Sequence, residues 1–425
     1  MTKLSLLNGL LVDPVAETLT QTDLFIAGGR IAAIGQAPEG FVADQVFDLK
    51  GKVVSPGLID LSVHLREPGF EHKATIASET RAAAKAGVTT LCCTPETEPC
   101  CDTPAVIELI REKAEWSGKA RVFPIGALTQ GLEGELLSEM YALKRAGCRV
   151  VGNGYRPLAN SLVWRRALEY AVTYDLLVVV RPQDPWLAGQ GSVHEGPLAT
   201  RLGLPGIPPS AETVAVAQIL ALVEETGARV HFSCLSTARA AAMIAAARGN
   251  GLSVTSDVAA HSLHLTEEAV DGFDPISYVL PPLRTRQDRE GLREAIASGG
   301  IVAVCSDHQP HEADAKKDVF AAAAPGMSSL ETLLPLMLGL VEEGRLSLPR
   351  AIARLTAGPA ALLGIESGTL QPGRLADLCV FDPEERWQVG PDTWFSRGCN
   401  TPYWGETLPG RVHLTLLNGK VVYEG

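Results

Sequence analysis

Between residues 53 and 307, short apolar runs alternate with stretches whose apolar positions recur every three or four residues. The runs are Val53–Leu65, Thr89–Cys93, Ala120–Ile125, Cys148–Gly152, Leu176–Arg181, Arg229–Cys234, Leu252–Asp257 and Ile301–Asp307. They are continuously apolar, the pattern of strands covered on both faces. His72–Ala86, Ala211–Thr226 and Thr237–Arg248 carry the helical period. Gly87 and Gly227 follow two of these stretches, where a helix end takes a left-handed residue. Eight buried strands separated by helices predict an α/β protein built on a closed parallel (β/α)8 barrel, spanning residues 53–366. In such a barrel the chemistry sits at the C-terminal ends of the strands. The flanks change period. Leu24-Phe-Ile-Ala-Gly-Gly-Arg-Ile-Ala-Ala-Ile, Leu375-Ala-Asp-Leu-Cys-Val-Phe-Asp and Val412-His-Leu-Thr-Leu-Leu-Asn-Gly-Lys-Val-Val-Tyr read as short strands with turns. Residues 1–52 and 367–425 are therefore expected to pair into one small β-sandwich-like domain.

Composition narrows the partners. The chain has 425 residues, of which 46% are apolar and only 5% aromatic, and a net charge of -12. That charge repels phosphate backbones and gives no attraction to anionic membranes, so neither nucleic acid nor a membrane is expected as a partner. No run of eighteen apolar residues and no leader pattern follow Met1, so a cytoplasmic location is expected. The nine cysteines then read as free thiols. Cys92-Cys93 and Cys100-Cys101 suggest a zinc cluster, but their spacing fits no structural zinc pattern, and they read instead as small apolar side chains.

The first run ends in Ser55-Pro-Gly-Leu-Ile-Asp-Leu-Ser-Val-His-Leu-Arg-Glu-Pro-Gly69. Further on stand LGLPGIPPSA at 202–211, Cys234-Leu-Ser-Thr237, Leu280-Pro-Pro-Leu-Arg284, Ser306-Asp-His-Gln-Pro-His311 and Asn400-Thr-Pro-Tyr403. In this order the blocks resemble the dihydroorotase family of the amidohydrolase superfamily. The resemblance implies a TIM-type barrel holding one or two zinc ions. Those ions activate water to open a cyclic amide. It also implies a ligand set at the strand ends: a His-x-His pair, a bridging acid or carboxylated lysine, two further histidines and a last aspartate. At those positions this chain has Ser62 and His64, then Asn153, Arg181 and Cys234, and finally Asp307. Only His64 and Asp307 match. Arg181 has no lone pair to give and stays charged. Of the substrate-binding positions Arg66, His261 and His311 remain, while Glu96 and Leu280 stand where the family has asparagine.

The expectation is a barrel without catalytic residues or bound cofactor, with His64 and Asp307 vestigial. Three alternatives stand beside it. His64, Cys234 and Asp307 could hold a single zinc in an altered hydrolase site. Asp307 with His308, or Cys234 with His231, could act without metal, although each pair faces apart on its strand. Arg66, Arg181, Arg284 and His311 could bind a carboxylate without turnover. The resemblance extends to inactive dihydroorotase-like proteins that partner aspartate transcarbamoylase. It therefore implies a structural subunit of pyrimidine biosynthesis that binds the transcarbamoylase catalytic subunit and self-associates.

Overall fold

Eight strands close the barrel: Leu58–Val63, Val88–Cys93, Arg121–Pro124 continued by Gly126–Ala127, Val150–Gly152, Leu177–Val180, Val230–Phe232, Val254–Ala259 and Ala303–Cys305. The computed structural model describes residues 2–425. Neighbouring strands pair in parallel register. Closure falls just beyond the last strand. His308 N–H donates to Ser62 O at 3.1 Å and His64 N–H donates to His308 O at 2.9 Å. The hydrogen bonds that shut the barrel thus set positions 62 and 64 against position 307.

The helices lie outside. The stretch at 72–86 turns helical only at Ile76, because Thr75 and Ser78 cap each other: Ser78 N–H donates to Thr75 Oγ1 at 3.1 Å and Thr75 N–H to Ser78 Oγ at 3.0 Å. Ser210–Thr226 and Ala238–Gly249 follow the sequence reading within a residue.

Val53–Leu65 is not one strand. Val53–Pro56 pairs with Leu4–Asp13 and Leu378–Gln388 in the terminal sheet, and only Leu58–Val63 enters the barrel. The switch comes at Gly57, where any Cβ would overlap the Thr89 side chain on the second barrel strand. The terminal sheet runs Lys420–Glu424, Thr407–Leu417, Leu378–Gln388, Val53–Pro56, Leu4–Asp13, Thr18–Ala27 and Arg30–Ile34, with Gln45–Asp48 also beside Leu4–Asp13. It buries a core of its own around Leu4, Leu6, Leu24, Ile26, Leu378, Val380 and Leu416. Among the described residues no helix is long and apolar enough to cross a membrane.

Candidate functional site

The C-terminal strand ends surround a cleft of about 270 Å³ lined by His64, Arg66, Glu96, Tyr155, Arg181 and His311, among others. At its base is Asp307, whose Oδ1 accepts three hydrogen bonds. Arg181 Nη2 donates at 2.7 Å, Ser62 Oγ at 3.1 Å, and the Tyr155 hydroxyl completes the set. The guanidinium of Arg181 lies 3.5 Å above the Tyr155 ring and gives its Nη1 to Leu280 O at 2.7 Å. Gln309 Nε2 reaches the Tyr155 oxygen at 2.5 Å and Asp307 Oδ2 at 3.4 Å. Side-chain exposure is 8% for Arg181 and 2% for Asp307, so the ion pair is dry. Burial alone would raise the Asp307 pKa. Arg181, His261 and the Tyr155 hydroxyl outweigh it and hold the carboxyl below its ordinary range.

These residues do not fit a metal. A cation would have to displace three donors from Asp307 Oδ1, one of them permanently charged. Asn153, at the bridging position, is also fully used. Its Oδ1 accepts from Thr129 Oγ1 at 2.7 Å, and its Nδ2 donates to Arg156 O at 2.9 Å and Leu132 O at 3.2 Å. The amide binds loop to loop, a task that a carboxylate could not perform against two carbonyls.

The trio His64, Cys234 and Asp307 does not assemble. Among the described residues, Cys234 groups instead with Asp257 and Cys305, their ligand atoms within 4.8 Å of one another. The reason is local. Cys234 has φ of +54° and its N–H donates to Asp257 Oδ1 at 2.5 Å, and its Sγ lies 3.5 Å from Cys305 Sγ. The metal-free pairs are likewise apart. His308 gives Nε2 to Glu79 at 2.8 Å, away from the cleft, and His231 gives Nε2 to Asp257 at 2.9 Å. Cys92, Cys93 and Cys101 are buried and Cys100 partly so.

Positive charge gathers at the cleft wall. Arg66 Nη2 lies 3.1 Å from His311 Nε2, and Lys73 Nζ lies 3.2 Å from His311 Nδ1. Burial, Arg66 and Lys73 push His311 down to about 2. Burial, with Arg66 and Arg181, holds His64 well below the usual histidine range. Both rings are thus neutral at pH 7, and among the described residues His64 Nε2 has no hydrogen-bond partner. His261 is also buried, its Nδ1 without a partner among the described residues. Arg284 does not join this group. Its guanidinium is tied to Ser236 Oγ at 3.0 Å and Ile207 O at 2.5 Å, outside the cleft lining. Glu96 accepts the Tyr155 N–H, and burial raises its pKa. Gly154, at φ +55°, lies against Glu96 Oε1 so closely that any Cβ would overlap it.

Tyr155, Gln309, Lys73, Asp257 and Cys305 were missed in the sequence. Tyr155 and Gln309 each sit two residues beyond a recognisable position, Asn153 and Asp307, yet no period or spacing marks a lone tyrosine or glutamine as a neighbour of Asp307. Cys305 is the last residue of its strand, two residues before Asp307, and no spacing marks it as a neighbour of Cys234.

Residues 51–240 match the "Dihydro-orotase-like" family and residues 183–422 the "Amidohydrolase family". A "Dihydroorotase-like protein" of Pseudomonas aeruginosa is 52% identical over 97% of this chain and 98% of its own. A "Dihydroorotase" of Syntrophotalea carbinolica is 44% identical over 99% of both chains. Among solved structures, an L-hydantoinase (dihydropyrimidinase) from Arthrobacter aurescens superposes with a TM-score of 0.89 at 25% identity, covering 100% of this chain and 96% of the other.

Proposed function

This chain belongs to the dihydroorotase-like family of amidohydrolases, and on that premise we propose that it is a non-catalytic member that serves as a structural subunit for aspartate transcarbamoylase in pyrimidine biosynthesis. The observation that carries the first half is the threefold saturation of Asp307 Oδ1 by Ser62, Tyr155 and Arg181. In the reaction that resemblance implies, the last aspartate binds metal and moves a proton. Here a fixed cation holds it ionised, and the proton it would move has no vacant lone pair on that oxygen to land on. The second half rests on the resemblance, supported by two exposed tryptophans, one near the barrel mouth and one at the end of the helix Pro104–Ser117. Trp116 is 80% and Trp186 84% exposed, and tryptophan is a residue type that anchors protein interfaces.

The test has two arms. The purified chain, supplied with zinc, is assayed for dihydroorotate hydrolysis. It is also co-expressed with the transcarbamoylase chain of the same organism and taken through size exclusion. The expected result is no turnover and stable co-elution. Turnover on the order of 1 s⁻¹ would overturn the non-catalytic reading, and separate elution would overturn the partner.

A second reading is favoured by the cleft itself. Arg66 and Arg181 line a partly enclosed volume in which His64 Nε2 is without a hydrogen-bond partner among the described residues. That chemistry suits a small ligand carrying both a carboxylate and an N–H donor, bound without conversion. Calorimetry with dihydroorotate decides it.

A further inference from the structure

Beneath the cleft, inside the barrel, two thiols face one carboxylate. Cys234 and Cys305 lie among Ile59, Leu61, Val150 and Leu177 and are at most 1% exposed. We propose that Cys234, Cys305 and Asp257 form a binding site for one thiophilic divalent cation of the zinc and cadmium type, which shares Cys234 with the family's ligand positions but draws its other two ligands from outside them.

The distances carry the proposal. A tetrahedral zinc has metal–sulfur bonds of about 2.3 Å and metal–oxygen bonds of about 2.0 Å. Neighbouring sulfurs then stand about 3.8 Å apart, and sulfur and oxygen about 3.5 Å. Here Cys234 Sγ and Cys305 Sγ are 3.5 Å apart, and Cys305 Sγ lies 3.5 Å from Asp257 Oδ1. Ser233 Oγ, 3.4 Å from Cys234 Sγ and 3.3 Å from Asp257 Oδ1, is the neutral donor nearest a fourth position. His231 Nε2 holds Asp257 Oδ2 at 2.9 Å, the kind of outer partner that orients a ligating carboxylate. The exchange balances: two S–H bonds break, two metal–sulfur bonds form, and two protons leave. A 2+ ion replaces two protons, so the net buried charge does not change. With every donor supplied by protein in a dry interior, such an ion is structural and adds no water nucleophile. The site is therefore compatible with the non-catalytic reading above and independent of it.

The experiment titrates cadmium alone into the reduced, chelator-treated full chain. It reads thiolate-to-metal absorption in the ultraviolet and counts ions by native mass spectrometry. One cadmium per chain is expected, with two protons released. Cys234→Ser and Cys305→Ser should each weaken binding more than about 100-fold, beyond the usual loss for an outer partner, while Cys92→Ser and Asp307→Asn leave it unchanged. Cadmium NMR of the unmodified protein, whose shift counts thiolate ligands, gives the answer even where a serine variant does not fold. Absence of thiolate absorption, its survival in both serine variants, or recovery of Cys234 and Cys305 as a disulfide overturns the site. Cadmium lost on Asp307→Asn but kept on Cys305→Ser would instead place an ion at the mouth, and would overturn the fit argument made for Asp307 as well.

Discussion

The Arg181–Asp307 pair should behave as a unit in a double-mutant cycle. Arg181→Met keeps most of the volume but leaves a carboxylate, 2% exposed, with neutral donors only. Breaking a buried pair from one side costs about 3–5 kcal/mol. Asp307→Asn leaves the guanidinium with Leu280 O and the Tyr155 ring, so a loss of about 2–4 kcal/mol is expected. The double variant buries a thioether beside an amide and should lose only about 1–3 kcal/mol, since replacing a whole buried pair is often close to neutral. The coupling energy is then about 5 kcal/mol. Unfolding entropy of about 2.1 cal/mol/K per residue, over 425 residues, gives about 0.9 kcal/mol/K. Arg181→Met should therefore lower the midpoint of thermal unfolding by about 3–6 °C. The assay is urea and thermal denaturation of the four proteins at pH 7. That pH is well placed. A carboxyl held below its ordinary value contributes its full stability above about pH 3.9 and loses it only as pH falls through the lower folded value. Single losses that add to within about 0.5 kcal/mol would refute the reasoning.

Other perturbations test neighbouring parts. Asn153→Asp sets a carboxylate against Arg156 O and Leu132 O and should destabilise by about 2–4 kcal/mol in urea denaturation. Gly154→Ala combines a left-handed φ with overlap on Glu96 Oε1 and should cost about 2–4 kcal/mol by the same measurement. Lys316 Nζ, which donates to Pro275 O at 3.0 Å and Tyr278 O at 3.4 Å, is pushed by burial down to about 7. The unfolded chain therefore binds the extra proton from pH 7 to about 10.4, and stability should climb with pH across that window. Lys316→Met should flatten the climb in denaturation midpoints measured at successive pH values. The fourfold variant Ser62→His, Asn153→Asp, Arg181→His and Cys234→His should take up zinc at the mouth in elemental analysis. Failure to do so would show that these are not the lost ligand positions.

Most of the barrel was legible because a strand buried on both faces leaves an unbroken apolar run, and all eight runs became strands. Val53–Leu65 misled because apolarity is shared by a strand of the terminal sheet and the barrel strand that follows it. Only the close approach of Gly57 to Thr89 separates them, and packing of that kind leaves no period in a sequence. At the site, positions 62, 153, 181, 234 and 307 could be located by motif, and so could the conflict between Arg181 and a metal. Which lone pairs the survivors spend could not. The turn of Cys234 toward Cys305, the ties that hold Arg284 away and the Tyr155 hydroxyl on Asp307 depend on strands that meet only once the barrel shuts.

The three donors on Asp307 also bear on the protein's history. On the non-catalytic reading proposed above, a lineage that tried to recover the hydrolase by single steps would meet a barrier at every first move. A histidine at 62 would add a large ring beside a cation already in place, and an acid at 153 would face two carbonyls. A histidine at 234 would have to leave the thiol layer below. Only exchange of Arg181 clears the space, and that exchange alone forfeits a dry ion pair for no gain in chemistry. On that reading the pair works as a ratchet: once formed, it makes the old trade harder to resume.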